Sequence, residues 1–572
     1  MDLFTENDFP YTDVTNDSHL FFQEEIVYFY FYNFRDYPNS DIIDLMSRFD
    51  NLLFIIKKNI HNQLSGSMEY LILLFRLLGY TRSIHYGKGE HDLSYLMLCS
   101  WYKFFPTLAI YALHRFVVSI KDQSCPFGSW RDIKYLCRFI ERYTHEKQDH
   151  PLVDICCDFV NSQLKKDTEI QNIYALPKNI HYISYVAKWI PRERKQVGWL
   201  YDKLVTHWMK LEKPHILQST TDETYMAAIN KGKRLYRKKI SSLNKMIDTT
   251  QIKQCARHRQ NINPNHVSCF TKMKQPNLIF GHGENDIIDR QLCSQNFADW
   301  FEQDNSYCTQ SPSPLPIQYY VKRAIQLITN MSKSDEKLLH YEKMILNNHW
   351  TSLSKSFHKH HVGNSIPIVD VSDTMCQYND DCYYTAIGYA ILFAQKSLFT
   401  NRILLVDQIP TWIELNDTHD FVSIVQNIQN SIQSSFTVAN FNNAFHLIGK
   451  TIRNSSLSNQ DIRNMRIVLF STSTNLASSS MKYDNILSIF NQYCFHVPFI
   501  VYWNVSNEFG ELFPCSIHQH STIMVSGTST NILHVLLNKF KYKHTTPYKT
   551  VCNLIRSPHY DILENYIRQF IQ

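Results

Sequence analysis

Residues 366–375, IPIVDVSDTM, carry an aspartate at the end of an apolar run, with Ser372 and Thr374 at alternate positions after Asp370. A carboxylate and two hydroxyls so spaced can turn three oxygens toward one point. Hard dications take such oxygen ligands and complete their shell with water, so Mg2+ is the ion this arrangement would hold. A second set is Cys255-x-x-His258 followed by His266-x-x-Cys269. Two thiolates and two imidazoles can complete a tetrahedral zinc site. The loop between the pairs is shorter than in common zinc fingers, and the plainer account is one buried cysteine beside solvent-facing basic histidines.

The third set is cationic. KGKRLYRKK carries Lys231, Lys233, Arg234, Arg237, Lys238 and Lys239 around Tyr236, and KWIPRERK carries Lys188, Arg192, Arg194 and Lys195 beside Trp189. Flexible cations neutralise phosphates and aromatic rings stack on unpaired bases, so these stretches are the nucleic-acid candidates. The bland alternative is a pair of solvated helix faces with Trp189 as a core anchor. Other patterns fail on spacing. HEKQDH places His145 and His150 five apart, off the shared helix face that HExxH needs. GKGE (87–90) lacks the frame of a phosphate-binding loop. HKHH (358–361) fits an exposed joint better than a metal site.

Positioning these residues falls to two regions of different rhythm. Through residue 350 the apolar residues recur at helical spacing, as in Trp130, Ile133, Leu136, Cys137 and Ile140. Helices are expected over 41–59, 67–79, 92–119, 151–165, 197–210, 223–247, 317–330 and 334–355, which together suggest a solenoid-like α-helical array. Ser129 with Asp132 reads as a capping box at a helix start. From 366 onward short apolar runs alternate with helical patterns. IPIVD, RILLVD (402–407), RIVLFS (466–471), PFIVYW (498–503) and STIMVSG (521–527) read as buried strands. Helices are expected at 382–397, 420–433, 440–453, 482–493 and 529–540. Such alternation predicts a doubly wound, mostly parallel sheet whose ligands lie beyond the carboxyl ends of the strands, where Asp370 stands. The expected division is an acidic segment 1–40, a helical array 41–302, a linker with connecting helices 303–365, and an α/β domain 366–572.

The 572 residues exceed one ordinary core, and 44% hydrophobic with 19% charged residues describes a globular chain. The net charge of +6 is uneven, with an acidic first fifty residues and a basic stretch at 188–274. Fourteen scattered cysteines in a chain this long suggest reduced thiols and a cytoplasmic setting rather than a disulfide framework. The most apolar stretches, 70–80 and 104–120, are interrupted by Arg or His and read as core helices rather than membrane spans.

Asp370-x-Ser372-x-Thr374 resembles the first element of the metal-ion-dependent adhesion site of von Willebrand factor A domains, with Thr374 in place of a serine. Further stretches resemble, in order, a family of plant and giant-virus proteins (domain of unknown function 2828): YGKGEHDLSYL (86–96), FGSWRDIKYL (127–136), AKWIPRERK (187–195), YRKKISSLNKMIDTTQIKQCARHR (236–259) and MVSGTSTNILHVLL (524–537). That resemblance implies a helical region joined to a von Willebrand A-like domain. It also carries a distant similarity to the Ro (TROVE) ribonucleoproteins, whose helical ring binds structured or misfolded RNA. Against the family pattern, Ala439 stands where the second metal loop has threonine, and Thr472 where the third has aspartate. The expected site at Asp370, Ser372 and Thr374 is therefore degenerate, with Mg2+ held weakly if at all.

The expected function is a non-enzymatic, RNA-binding, ribonucleoprotein-like scaffold. Its basic helices contact structured RNA, and its A-like domain binds a protein partner. The alternative is a virion or viral-factory interaction protein without nucleic acid. A zinc-dependent enzyme is the last choice.

Overall fold

The computed structural model describes residues 16–32, 39–118, 125–173, 183–214, 222–267, 271–272, 275, 288–302, 316–330, 336–357, 362–375, 381–399, 401–416, 420–432, 439–506, 512–533 and 545–571. Among them, every regular element before residue 365 is helical, and a six-stranded sheet follows. The chain is thus an α-helical array followed by a doubly wound, von Willebrand A-like α/β domain.

The strands are β1 (Ser365–Asp370), β2 (Arg402–Val406), β3 (Thr411–Glu414), β4 (Arg466–Ser471), β5 (Phe499–Asn504) and β6 (Thr522–Ser526). They lie in the order β3-β2-β1-β4-β5-β6, all parallel except the β2–β3 pair. The five strands expected from apolar runs are present. Their middles are buried on both faces, which is why they read as continuous apolar runs rather than alternating ones. β3 was not expected. Its four residues, TWIE, alternate at the sheet edge and give too short a signal. In the sheet core Tyr389 packs against Phe470 and Trp503, its ring centroid 4.4 Å from that of Trp503, and Phe393 packs against the same two rings.

Two compact units divide the chain, residues 1–100 with 314–572, and residues 101–313. These cut across the four-part division expected from composition, because the first helices pack on the sheet domain. The helix Asn16–Phe31 lies inside the stretch expected to be an acidic segment. Residues 26–32 are all buried, so a helix apolar on every side was masked by its acidic flank. Its last carbonyls lie against the strand ends. Lys88 Nζ donates to Tyr30 O (2.6 Å) and Tyr32 O (3.2 Å), Asn504 Nδ2 to Phe31 O (3.1 Å), and Ser526 Oγ to Tyr30 O (2.7 Å). These donors satisfy carbonyls that the end of a helix leaves without an intrahelical partner. The GKGE motif is thereby explained as structure: Lys88 is buried, and a Cβ on Gly87 would stand 1.9 Å from Tyr80 O.

The helix expected over 92–119 is two helices, Asp92–Phe104 and Pro106–Val117, because Pro106 lacks the N–H that would continue the first and suits the first turn of the second. The capping box at Ser129 is half formed: Asp132 accepts from Ser129 N (2.6 Å), but Trp130 is the capping residue and makes no side-chain cap bond. The helices Pro151–Ile173, Gly198–Glu212 and Asp222–Met246 pack around a buried polar centre, where Tyr236 Oη donates to Asn161 Oδ1 at 2.9 Å. No described helix is long and apolar enough to cross a membrane.

Candidate functional site

The strand order reverses between β1 and β4, the crevice where doubly wound sheets hold ligands. Asp370 ends β1 and is fully buried. Its Oδ1 accepts Ser372 N (3.0 Å) and Ser372 Oγ (2.5 Å). Its Oδ2 accepts Ser471 Oγ, at the end of β4, and Asn475 Nδ2 (2.7 Å). Thr374 Oγ1 is 2.9 Å from Ser372 Oγ and accepts Asn475 Nδ2 at 2.8 Å. The structure therefore does bring Asp370, Ser372 and Thr374 together, and it adds Ser471 at the end of β4 and Asn475 just beyond it.

Asn475 belongs to the four-residue helix Ser473–Leu476. Thr472 caps this helix, its Oγ1 accepting Asn475 N at 3.2 Å. Thr472, expected from the sequence resemblance to mark a lost metal ligand, thus holds the short helix that carries Asn475. In the second loop, Asn440 Oδ1 accepts Asn443 N (3.0 Å) to cap the helix Phe441–Arg453, while Val438 lies outside the described residues. Asn504-Val505-Ser506, at the end of β5, repeats the β1 pattern with an amide: Asn504 Oδ1 accepts Ser506 N (3.0 Å) and Ser506 Oγ (2.9 Å).

The two basic stretches lie in the unit of residues 101–313 and meet at Glu193. Lys233 Nζ is 3.0 Å from Glu193 and 2.6 Å from Asp202, and Arg237 is 3.1 Å from Glu193. Lys239 pairs with Glu212 at 3.0 Å. The hydrogen bond from Lys233, with the nearby Arg237 and Arg194 charges, holds the Glu193 carboxyl below the usual carboxylate range. That tie is complete at neutral pH and is lost as acid protonates Glu193. Three of the ten candidate cations are therefore committed to carboxylates, and Tyr236 is buried in the core, which corrects its expected place among stacking residues.

The other cations face solvent. Lys231, Arg234 and Lys238 fall on the face of the helix Asp222–Met246 opposite buried Tyr236 and Leu243, and Lys245 extends the row. Arg192, Arg194 and Lys195 are exposed in the loop that Glu193 pins to that helix. Among the described residues no carboxylate pairs with any of these seven. Lys188 is exposed, its Nζ 5.8 Å from the Tyr185 ring and 5.9 Å from that of Trp189, and partial desolvation of the ammonium beside these rings lowers its pKa. The loop closes tightly. A Cβ on Gly198 would stand 2.1 Å from Glu193 O, so Gly198→Ala is expected to displace the loop at a cost of about 1–3 kcal/mol, read by thermal unfolding. A wild-type melting curve for the variant would show that the loop is not held there.

Cys255 and His258 are exposed, His266 is described only in its backbone, and Cys269 lies outside the described residues, as does HKHH (358–361). Among the described residues no group of three or more His, Cys, Asp or Glu side chains is placed to hold a metal ion.

Residues 364–553 match the family model described as a domain of unknown function, DUF7788. That match covers the six strands of the A-like domain and less than half of the chain. No curated protein matches the chain. Among solved structures, the Deinococcus radiodurans RO (RSR) protein is similar over 94% of this chain and 98% of its own, at 8% identity and a TM-score of 0.32.

Asn475 and Glu193 were not among the residues singled out from the sequence. Glu193 had a signal available, as the lone acid inside a basic run. Asn475 had none, because its role depends on a cap that turns it toward a strand end more than one hundred residues away in sequence.

Proposed function

We propose that this protein is a non-enzymatic RNA-binding scaffold, and that the solvent face of the helix Asp222–Met246 with the adjoining 192–195 loop is its phosphate-contacting surface. The observation that carries the reading is the sorting of the cations. Lys233, Arg237 and Lys239 are neutralised by carboxylates, while Lys231, Arg234, Lys238, Arg192, Arg194 and Lys195 are exposed without one among the described residues. Ion pairs fix the scaffold, and the remaining charges face the solvent on one row and one loop. Lys231 to Lys245 spans about 21 Å of helix, room for several phosphates. The motif resemblance to the plant and giant-virus family and, more distantly, to the Ro proteins supports the same reading. The A-like domain then serves as the protein-binding part.

A filter-binding titration with structured RNA tests this. If six cations reach phosphates, the log–log salt slope is about −4 to −5. Reversing Lys231, Arg234 and Lys238 to Glu is expected to weaken binding by about a hundredfold and flatten the slope by about 2–3. Reversing Lys450 and Arg453, on the A-like domain, should leave both unchanged. Weak binding with no salt dependence in the wild type would favour the protein-interaction scaffold instead.

A further inference from the structure

We infer that the Asn475 carboxamide occupies the place of the cation in the A-like domain, so that the loops after β1 and β4 are joined without metal. A dication site needs acceptor oxygens left free to point inward at about 2.0–2.6 Å from the ion. Here those oxygens are already used. Asp370 Oδ1 takes two donors from Ser372, and Oδ2 takes Ser471 Oγ and Asn475 Nδ2. The two N–H groups of Asn475 Nδ2 go to Asp370 Oδ2 at 2.7 Å and Thr374 Oγ1 at 2.8 Å. Those are the oxygens a metal would draw together, and an amide nitrogen now draws them together. The amide orientation follows from the chemistry. Turned over, its oxygen would face the Asp370 carboxylate and two donors would be lost.

The charge agrees with the geometry. Among the described residues Asp370 is the one carboxylate in this network; Asp373 is exposed, and Asp407 Oδ1 accepts Gln408 N at 2.8 Å. A single carboxylate with every lone pair engaged does not fit Mg2+ or Ca2+. The substitution at Thr472 is therefore more than a loss. Its hydroxyl caps Ser473–Leu476 and directs Asn475 into the network. The crevice at the strand reversal stays formed whatever the metal concentration, and anything that docks there does so independently of dications.

Asn475→Asp reverses the exchange. It removes both N–H donors and sets a second carboxylate beside Asp370, Ser372, Ser471 and Thr374, an oxygen set suited to a dication. The full-length wild type and N475D are titrated with Mn2+ by electron paramagnetic resonance and melted in EDTA and in excess Mn2+. The wild type is expected to take up no ion and to melt at the same temperature in both. N475D is expected to melt at least about 4 °C lower in EDTA, to recover in Mn2+, and to bind one ion per chain. Saturable Mn2+ uptake by the wild type overturns the inference, as does a folded N475D that binds none. Should N475D not be recovered folded, the wild-type titration decides alone, and Asn475→Ala, which vacates the position without adding charge, is expected to melt lower than wild type in EDTA.

Discussion

Asp370→Ala is expected to speed amide exchange in β1 and β4 by about two to three orders of magnitude. The carboxylate is fully buried and accepts four hydrogen bonds, from Ser372 N, Ser372 Oγ, Ser471 Oγ and Asn475 Nδ2. Hydrogen bonds to a charged acceptor stabilise by about 1.5–3 kcal/mol each, and donors left buried without an acceptor cost about 1–3 kcal/mol. The four are not additive because the hydroxyls can turn to other partners, so the expected loss is about 3–4 kcal/mol. At about 1.4 kcal/mol per tenfold, that gives the exchange factor stated. Asp370→Asn keeps the shape and one acceptor oxygen, but sets an amide against two donors, so its loss should be smaller, about 1–3 kcal/mol. Hydrogen exchange by mass spectrometry over 365–371 and 466–476 measures both variants locally, which suits a chain of two units better than one global transition. Exchange within tenfold of wild type in Asp370→Ala would show that this network does not hold the two loops together.

The same residue shows how far sequence carries. Asp370 could be found because an apolar run stops at it, and a parallel strand buried on both faces leaves that mark. The helical half was legible wherever apolar spacing repeated, and misjudged where it did not. The break at Pro106 is a backbone effect that apolar spacing passes over. The helix Asn16–Phe31 was lost because apolar residues on every side carry no periodicity. The site was less legible than the fold because it depends on pairings between distant positions. Lys233 meets Glu193 forty residues away, and Lys239 meets Glu212 at a separation of 27. Nothing in the spacing of KGKRLYRKK says which cations such pairings consume. Likewise Thr472 reads as a missing ligand until its cap on Asn475 is seen.

Arg76→Ala is expected to release the C-terminal segment 547–571 from the helix Ser67–Arg82, at a cost of about 3–5 kcal/mol. The Arg76 side chain is only 3% exposed. Its Nε donates to Ile555 O (2.9 Å), Nη2 to Ser557 O (3.1 Å) and to Asp561 Oδ1 (2.6 Å), and Nη1 to Glu564. The guanidinium thus serves two kinds of acceptor. Ile555 O and Ser557 O lie where the helix Pro547–Ile555 ends, and Asp561 and Glu564 lie in the first turn of Asp561–Ile571. Without Arg76 the two carbonyls lose this charged donor. The two acids keep much of their hydration, Asp561 being 55% and Glu564 26% exposed, so most of the cost falls on the carbonyls rather than on the ion pairs. Arg76→Lys separates charge from geometry. An ammonium cannot span four acceptors in one plane, so it should recover less than half of the loss. Arg76→Met keeps the packed stem and should recover the packing share alone. Limited proteolysis and hydrogen exchange over 547–571 give the readout. If Lys or Met restored full protection, the segment would be held by charge alone or by packing alone, and the forked hydrogen bonding assigned to Arg76 would be wrong.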